Sequence, residues 1–222
     1  METNMTAGKI DMDGHGIAVV VTQPSDRRSE RYVVMAHGGP GGSKDGPSDI
    51  FVKLAAHLAN VGIASVRFDM LGSGESDFAE TTLAGEADQL LAVVKFARGD
   101  GCQRLGILAE SLGAAAAVLG WPDDALAGAF LWPWFEPLVQ NWPKQWYERL
   151  DDALAVVQAP TLLIHGRADT EVPCQESERA HHQCLPEPKR LVLVPGGDHC
   201  LRRHVEQVLV CVEVVQWFTR HL

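Results

Sequence analysis

No apolar run in this 222-residue chain reaches the roughly 18 residues that a membrane span requires. The longest candidate, Ala125 to Phe135, is broken by Pro133. No N-terminal stretch joins a basic region to an apolar core, so no secretory leader is expected. Positive charge is scarce, with 19 Lys and Arg against 29 Asp and Glu, a formal net charge of -10. Binding to nucleic acid or to an anionic membrane needs clustered cations, so neither is expected as a partner. The five cysteines (Cys102, Cys174, Cys184, Cys200, Cys211) are odd in number and hold no C-x-x-C. Free thiols in a reducing cytoplasm are therefore expected. Internal repeats, low-complexity tracts and linkers are also missing, so residues 1–222 read as one domain.

What is present is an alternation of strands and helices. Met1 to Gly8 reads as a loose tail. Lys9 to Met12 and Gly16 to Val21 flank the turn Asp13-Gly14-His15 and read as a hairpin. Buried strands are expected at Arg31–Ala36, Ile63–Phe68, Arg104–Leu108, Leu126–Leu131, Thr161–Ile164 and Arg190–Val194. Helical spacing marks Asp49–Val61, the stretch from Leu83 to Val94, Ala114 to about Leu119, Cys174–Cys184 and a closing helix ending near Trp217. Asp151 to Val157 reads as a further short helix. Strand, helix and short loop in repetition are the signature of an α/β fold: a mostly parallel sheet with helices on both faces.

The central stretch is Arg104 to Ala117, a buried strand that turns sharply into a helix of small residues. At the turn stands Ala109-Glu110-Ser111-Leu112-Gly113. A turn this tight brings its flanks together, so Ala109 and Gly113 must be small, and Ser111 is pushed to the tip in a strained conformation. This is the pattern of a nucleophile elbow. Taken alone, the pentad also fits a helix N-cap serine.

A serine hydroxyl is a weak nucleophile at neutral pH. It needs a base, and the base needs an acid to fix its tautomer. Asp169 lies just beyond one strand and His199 just beyond the next. In a parallel sheet these loops emerge on the same edge as Ser111. Glu136 and Glu171 are rival acids, and His204 is the nearest rival base. His37 is expected to hold the loop it begins, His165 to pack at a strand end, and His181 and His182 to lie on a solvated helix face. Asp69 is expected to accept backbone N–H bonds rather than to act in catalysis.

His37-Gly38-Gly39-Pro40-Gly41-Gly42-Ser43 follows a buried strand. Its glycines let the backbone approach a ligand closely. No G-K-[ST] follows, which speaks against a phosphate loop. An oxyanion hole needs backbone N–H donors. Pro40 has none, so Gly39 is the expected donor, with Leu112 N–H as the second. Residues 132–150 break the strand–helix alternation and hold Trp132, Trp134, Trp142 and Trp146. They read as a short aromatic cap that lines an apolar acyl pocket, or equally as aromatics that pack the insertion onto the body.

These pieces resemble the α/β-hydrolase superfamily. The matching runs are His37-Gly38-Gly39-Pro40-Gly41, Asp69-Met70-Leu71-Gly72-Ser73-Gly74-Glu75-Ser76, Ala109-Glu110-Ser111-Leu112-Gly113, His165-Gly166-Arg167-Ala168-Asp169 and Gly197-Asp198-His199. The chain order Ser111, Asp169, His199 is that of this fold. The resemblance implies an α/β-hydrolase fold with a minimal cap, nucleophile Ser111, acid Asp169, base His199, no metal and no organic cofactor. The glycine loop resembles that of proline iminopeptidase-type enzymes, whereas the compact build is closer to small carboxylesterases. The expected activity is hydrolysis of a small-molecule carboxylic ester or thioester. An aminopeptidase is the alternative, with a lyase using the same triad also open. From another class, a non-catalytic ligand-binding module is the rival. Oligomeric state is not written in the sequence.

Overall fold

The apolar segments pair into a single eight-stranded sheet. The computed structural model describes residues 3–39, 41–135 and 152–222. The strands are β1 (Asn4–Met12), β2 (His15–Gln23), β3 (Arg31–Ala36), β4 (Ala64–Phe68), β5 (Arg104–Glu110), β6 (Ala125–Leu131), β7 (Thr161–Gly166) and β8 (Lys189–Val194). Their spatial order is β1-β2-β4-β3-β5-β6-β7-β8. β3 through β8 run parallel to one another, and the β1–β2 hairpin adds an edge in which β2 pairs antiparallel with both β1 and β4.

The helices are α1 (Ile50–Asn60), α2 (Leu83–Gly99), α3 (Leu112–Leu119), α4 (152–156), α5 (Gln175–Arg179) and α6 (His204–His221). α5 runs into a π-helical turn, Ala180–Cys184. α1 and α6 cover one face of the sheet and α2 and α3 the other. Along β3, Val33 and Met35 meet the first layer, while Tyr32, Val34 and Ala36 meet the second. That period-two division, with no polar side, is what a sheet buried on both faces requires. α2 starts where Thr82 Oγ1 accepts the Gly85 N–H at 3.0 Å, which satisfies one of the orphan donors of the first turn.

The structure corrects the reading of the N-terminus. Much of the expected loose tail is strand: β1 begins at Asn4, paired with Gln23. Its residues are mostly exposed, so the pairing comes from backbone hydrogen bonds to β2 rather than from an apolar pattern. Trp142, Trp146, Glu136, Pro40 and most of the 132–150 insertion lie outside the described residues. Among the described residues no helix is long and apolar enough to cross a membrane. Cys102, Cys174, Cys200 and Cys211 are all buried and unpaired.

The topology decides where a site can form. After β3 the chain crosses to β4 on one side, and after β5 it crosses to β6 on the other. Between β3 and β5 the two connections diverge and leave a crevice at the carboxyl ends of the strands. In open α/β sheets ligands bind at such a switch point. The glycine loop follows β3 and Ser111 follows β5.

Candidate active site

Ser111 stands between β5 and α3 with φ 50° and ψ -126°. A non-glycine residue in this region stores about 1–3 kcal/mol of strain, and here backbone hydrogen bonds hold it, one of them from Ala114 N–H to Ser111 O at 3.1 Å. Ser111 N–H donates to Leu131 O at 3.1 Å, and Trp134 N–H donates to Ser111 O at 3.0 Å. The flank must be glycine. A Cβ on Gly113 would lie 2.3 Å from His37 O and 2.9 Å from Ala36 O, both backbone atoms.

The expected base and acid meet the serine. Ser111 Oγ lies 3.1 Å from His199 Nε2, and His199 Nδ1 lies 2.8 Å from Asp169 Oδ2. The loops after β7 and β8 touch because Gly166 has no side chain. A Cβ there would stand 2.3 Å from Gly197 O. Ala168 N–H also donates to Gly197 O at 2.9 Å. This packing delivers His199 to Asp169.

The electrostatics suit a base waiting for a proton. Burial pushes the Asp169 carboxyl up, but hydrogen bonds from His165, His199 and Val172 N–H outweigh it and hold it well below the usual range. Burial pushes the His199 imidazole down. The bond to Asp169 and the charges of Asp169, Glu171 and Glu110 more than reverse that, so its net shift is upward. Burial pushes the neighbouring Cys200 thiol up to about 11, so at neutral pH it is a protonated thiol rather than a thiolate.

The glycine loop packs against the elbow. A Cβ on Gly38 would lie 2.7 Å from Ser111 Cβ and 2.9 Å from Leu112 N, so the glycine loop rests on the elbow. Gly38 N–H is already used, donating to Glu110 Oε1 at 3.1 Å. Among the described residues, the N–H groups of Gly39 and Leu112 have no hydrogen-bond acceptor.

Other predicted residues fall as follows. His37 is buried and accepts the Met70 N–H on Nε2 at 2.9 Å, which ties the glycine loop to the loop after β4. Asp69 accepts N–H groups from Lys44 at 2.7 Å and Glu75 at 2.9 Å, and the Lys44 ammonium at 2.9 Å. It is a loop anchor, as its position predicts. Glu171 and His204 are exposed, and neither side chain hydrogen-bonds to Ser111, Asp169 or His199, although the Glu171 backbone N–H donates to Asp169 Oδ1 at 2.9 Å. Trp134 is half-buried against Leu83, Leu112 and Ala115 beside the nucleophile. Trp132 departs from the expected pocket wall. It is fully buried, with its ring 6.5 Å from that of His199 and its Nε1–H donating to Glu110 Oε2 at 2.6 Å. It forms a floor under the base. A groove of about 480 Å³ between α1 and α6, lined by His57, Val61, His204, Val208 and Val212 among others, includes none of Ser111, Asp169 and His199.

Sequence reasoning missed two residues. Glu110 occupies a position that the elbow pattern leaves unspecified, and it is buried next to the nucleophile. His165 is more than strand-end packing, because its Nε2 lies 3.0 Å from Asp169 Oδ2. A buried histidine four residues before a candidate acid was the available signal.

The chain is similar to known proteins in sequence and in fold. A model of the prolyl oligopeptidase family matches residues 114–222, a stretch that includes Asp169 and His199 and starts just after Ser111. The uncharacterised protein Rv2307c of Mycobacterium tuberculosis is 32% identical over 206 residues, covering 82% of this chain and 71% of that protein. The uncharacterised protein YfhR of Escherichia coli O157:H7 is 32% identical over 148 residues, covering 60% of this chain and 51% of that one. Among solved structures, Est1E of Butyrivibrio proteoclasticus bound to ferulic acid superposes with a TM-score of 0.82 at 23% identity, over 97% of this chain and 99% of that one. Dienelactone hydrolase of Anabaena variabilis superposes with a TM-score of 0.79 at 21% identity, over the whole of both chains.

Proposed function

We propose that this chain, which has an α/β-hydrolase fold, is a serine hydrolase of carboxylic esters or thioesters. One observation carries the reading: the continuous contact from Ser111 Oγ through His199 to Asp169, at the switch point of the sheet. In the proposed cycle His199 Nε2 takes the Ser111 proton as Oγ attacks the acyl carbon. The carbonyl oxygen becomes an oxyanion held by Gly39 and Leu112 N–H. The imidazolium, stabilised by Asp169, gives the proton to the leaving alcohol or thiol as its bond to carbon breaks. Water, deprotonated by the same nitrogen, then releases the acid and restores the serine.

We read the chain as one domain with Trp134 at the mouth of the acyl site, and Trp142 and Trp146 as further cap residues. The unpaired thiols fit a reducing compartment such as the cytoplasm. The prolyl oligopeptidase-family match supports a peptidase as the second reading, and the glycine loop's resemblance to proline iminopeptidase-type enzymes makes an aminopeptidase its form.

The test pairs wild type with Ser111→Ala against a fluorophosphonate probe read by intact mass, and against p-nitrophenyl esters of increasing acyl length. One adduct on wild type, none on the variant, and ester turnover lower by about 10⁴-fold or more support the reading. A folded wild type that takes no adduct and turns over no ester overturns it and favours a ligand-binding module. Cleavage of aminoacyl anilides that stops when the amine is blocked selects the aminopeptidase.

A further inference from the structure

Asp169 serves two serine–histidine pairs. Its Oδ2 accepts from His199 Nδ1 at 2.8 Å and lies 3.0 Å from His165 Nε2. Its Oδ1 accepts the N–H groups of Glu171 at 2.9 Å and Val172 at 2.8 Å. A carboxylate offers about four acceptor positions, and all four are filled. On its far side His165 Nδ1 lies 2.8 Å from Ser177 Oγ. His165, Ser177 and the Asp169 side chain are fully buried, so water does not compete for these bonds.

The partners fix the proton. His165 Nε2 faces two acceptors, Asp169 Oδ2 and Val172 O, each at 3.0 Å. It must therefore carry hydrogen. In the tautomer with hydrogen on Nε2, Nδ1 accepts from the Ser177 hydroxyl. The second pair thus mirrors Ser111–His199, but it is sealed in the core and has no access to substrate.

We propose that His165 is a positioning residue for the hydrolysis, locked in its Nε2–H tautomer by Ser177. It holds Asp169 Oδ2 toward His199 and shares the charge on that oxygen. This inference rests on the proposed triad. A second donor on Oδ2 makes the oxygen a weaker acceptor, so it moderates how strongly Asp169 favours the His199 imidazolium. The other charged groups facing His199 are Glu171, from the same loop as Asp169, and Glu110, from β5. His165 faces Asp169, Ser177 and the Val172 carbonyl.

The test compares His165→Gln with His165→Asn. The amide nitrogen of Gln reaches the place of Nε2 and keeps the bond to Asp169. Asn reaches the place of Nδ1 and loses it. The expected result is kcat within about threefold of wild type for Gln. For Asn, kcat falls about tenfold with KM within about twofold, and the acid limb of the kcat/KM profile moves up by about half a pH unit. Equal losses in both variants with an unmoved acid limb describe a packing defect and overturn the proposal.

A second measurement needs neither variant to fold. In ¹⁵N-histidine-labelled wild type, the His165 Nε2–H resonance should move as His199 titrates, because both protons sit on one oxygen. A resonance indifferent to that titration rules out the shared charge. Because this signal reads geometry rather than turnover, it separates failure of the relay from failure of the hydrolase reading, which the Ser111 adduct decides.

Discussion

Glu110 shows how one side chain can hold a site together without facing the crevice. Its two oxygens take different donors, Gly38 N–H at 3.1 Å and Trp132 Nε1–H at 2.6 Å. It thus joins the glycine loop to the floor beneath His199. Burial pushes its carboxyl up, against the pull of those two donors and the nearby His199. In Glu110→Gln one oxygen becomes an NH₂ group facing another donor. A buried mismatch of this kind costs about 1–3 kcal/mol. For a chain of this size that lowers Tm by about 2–12 °C, to be read by calorimetry. The lost charge also lowers the His199 pKa, so the acid limb of kcat/KM should move to lower pH, opposite to His165→Asn. A limb that stays in place shows that Glu110 carries no charge in the working enzyme. At this scale the meeting of Ser111, His199 and Asp169 was legible, because each stands at a punctuated strand end. Glu110 and His165 were not. Their importance comes from pairings with Gly38, Trp132 and Asp169 that residue types alone do not reveal.

At the scale of the elements, the site depends on how closely loops pass over one another. The β3 loop crosses the elbow at Gly113, where even a methyl group would strike His37 and Ala36 backbone oxygens. Gly113→Ala should therefore destabilise the protein by at least the about 1–3 kcal/mol typical of overpacking. It should also displace the elbow, lowering fluorophosphonate labelling together with the urea midpoint. Unchanged labelling and stability in that variant show that the crossing is looser than described. The buried strands and the main helices were legible because apolar runs and helical spacing are strong signals. β1 was not, since an exposed edge strand such as Asn4–Met12 lacks an inward-facing row and is specified by its partner. The π-helical turn at Ala180–Cys184 likewise leaves no mark in the spacing that extended a helix over it.

At the scale of the whole molecule, acid stability follows from the carboxylates that the fold encloses. Burial pushes Asp69 up, but N–H donors from Glu75 and Lys44 and the Lys44 ammonium hold it below its ordinary value of 3.8. Asp169 is held low by its own donors. A carboxyl whose folded pKa is depressed adds stability that is fully present above its unfolded value. That stability is lost as pH falls through the folded value. Urea midpoints measured from pH 7 down to pH 3 should therefore drop chiefly below about pH 4 from these two groups. Asp69→Asn should be less stable at pH 7 and show a shallower acid decline. An identical decline in that variant assigns the acid sensitivity elsewhere.

The triad also has an order in time. Ser111 follows β5, Asp169 follows β7 and His199 follows β8, which is an edge strand of the sheet. Synthesis runs in that direction, so the nucleophile leaves the ribosome well before its base. Until β8 docks, the contact between Ser111 Oγ and His199 Nε2 cannot form. Under the proposed function, a chain that has not yet placed β8 therefore lacks the base for its serine.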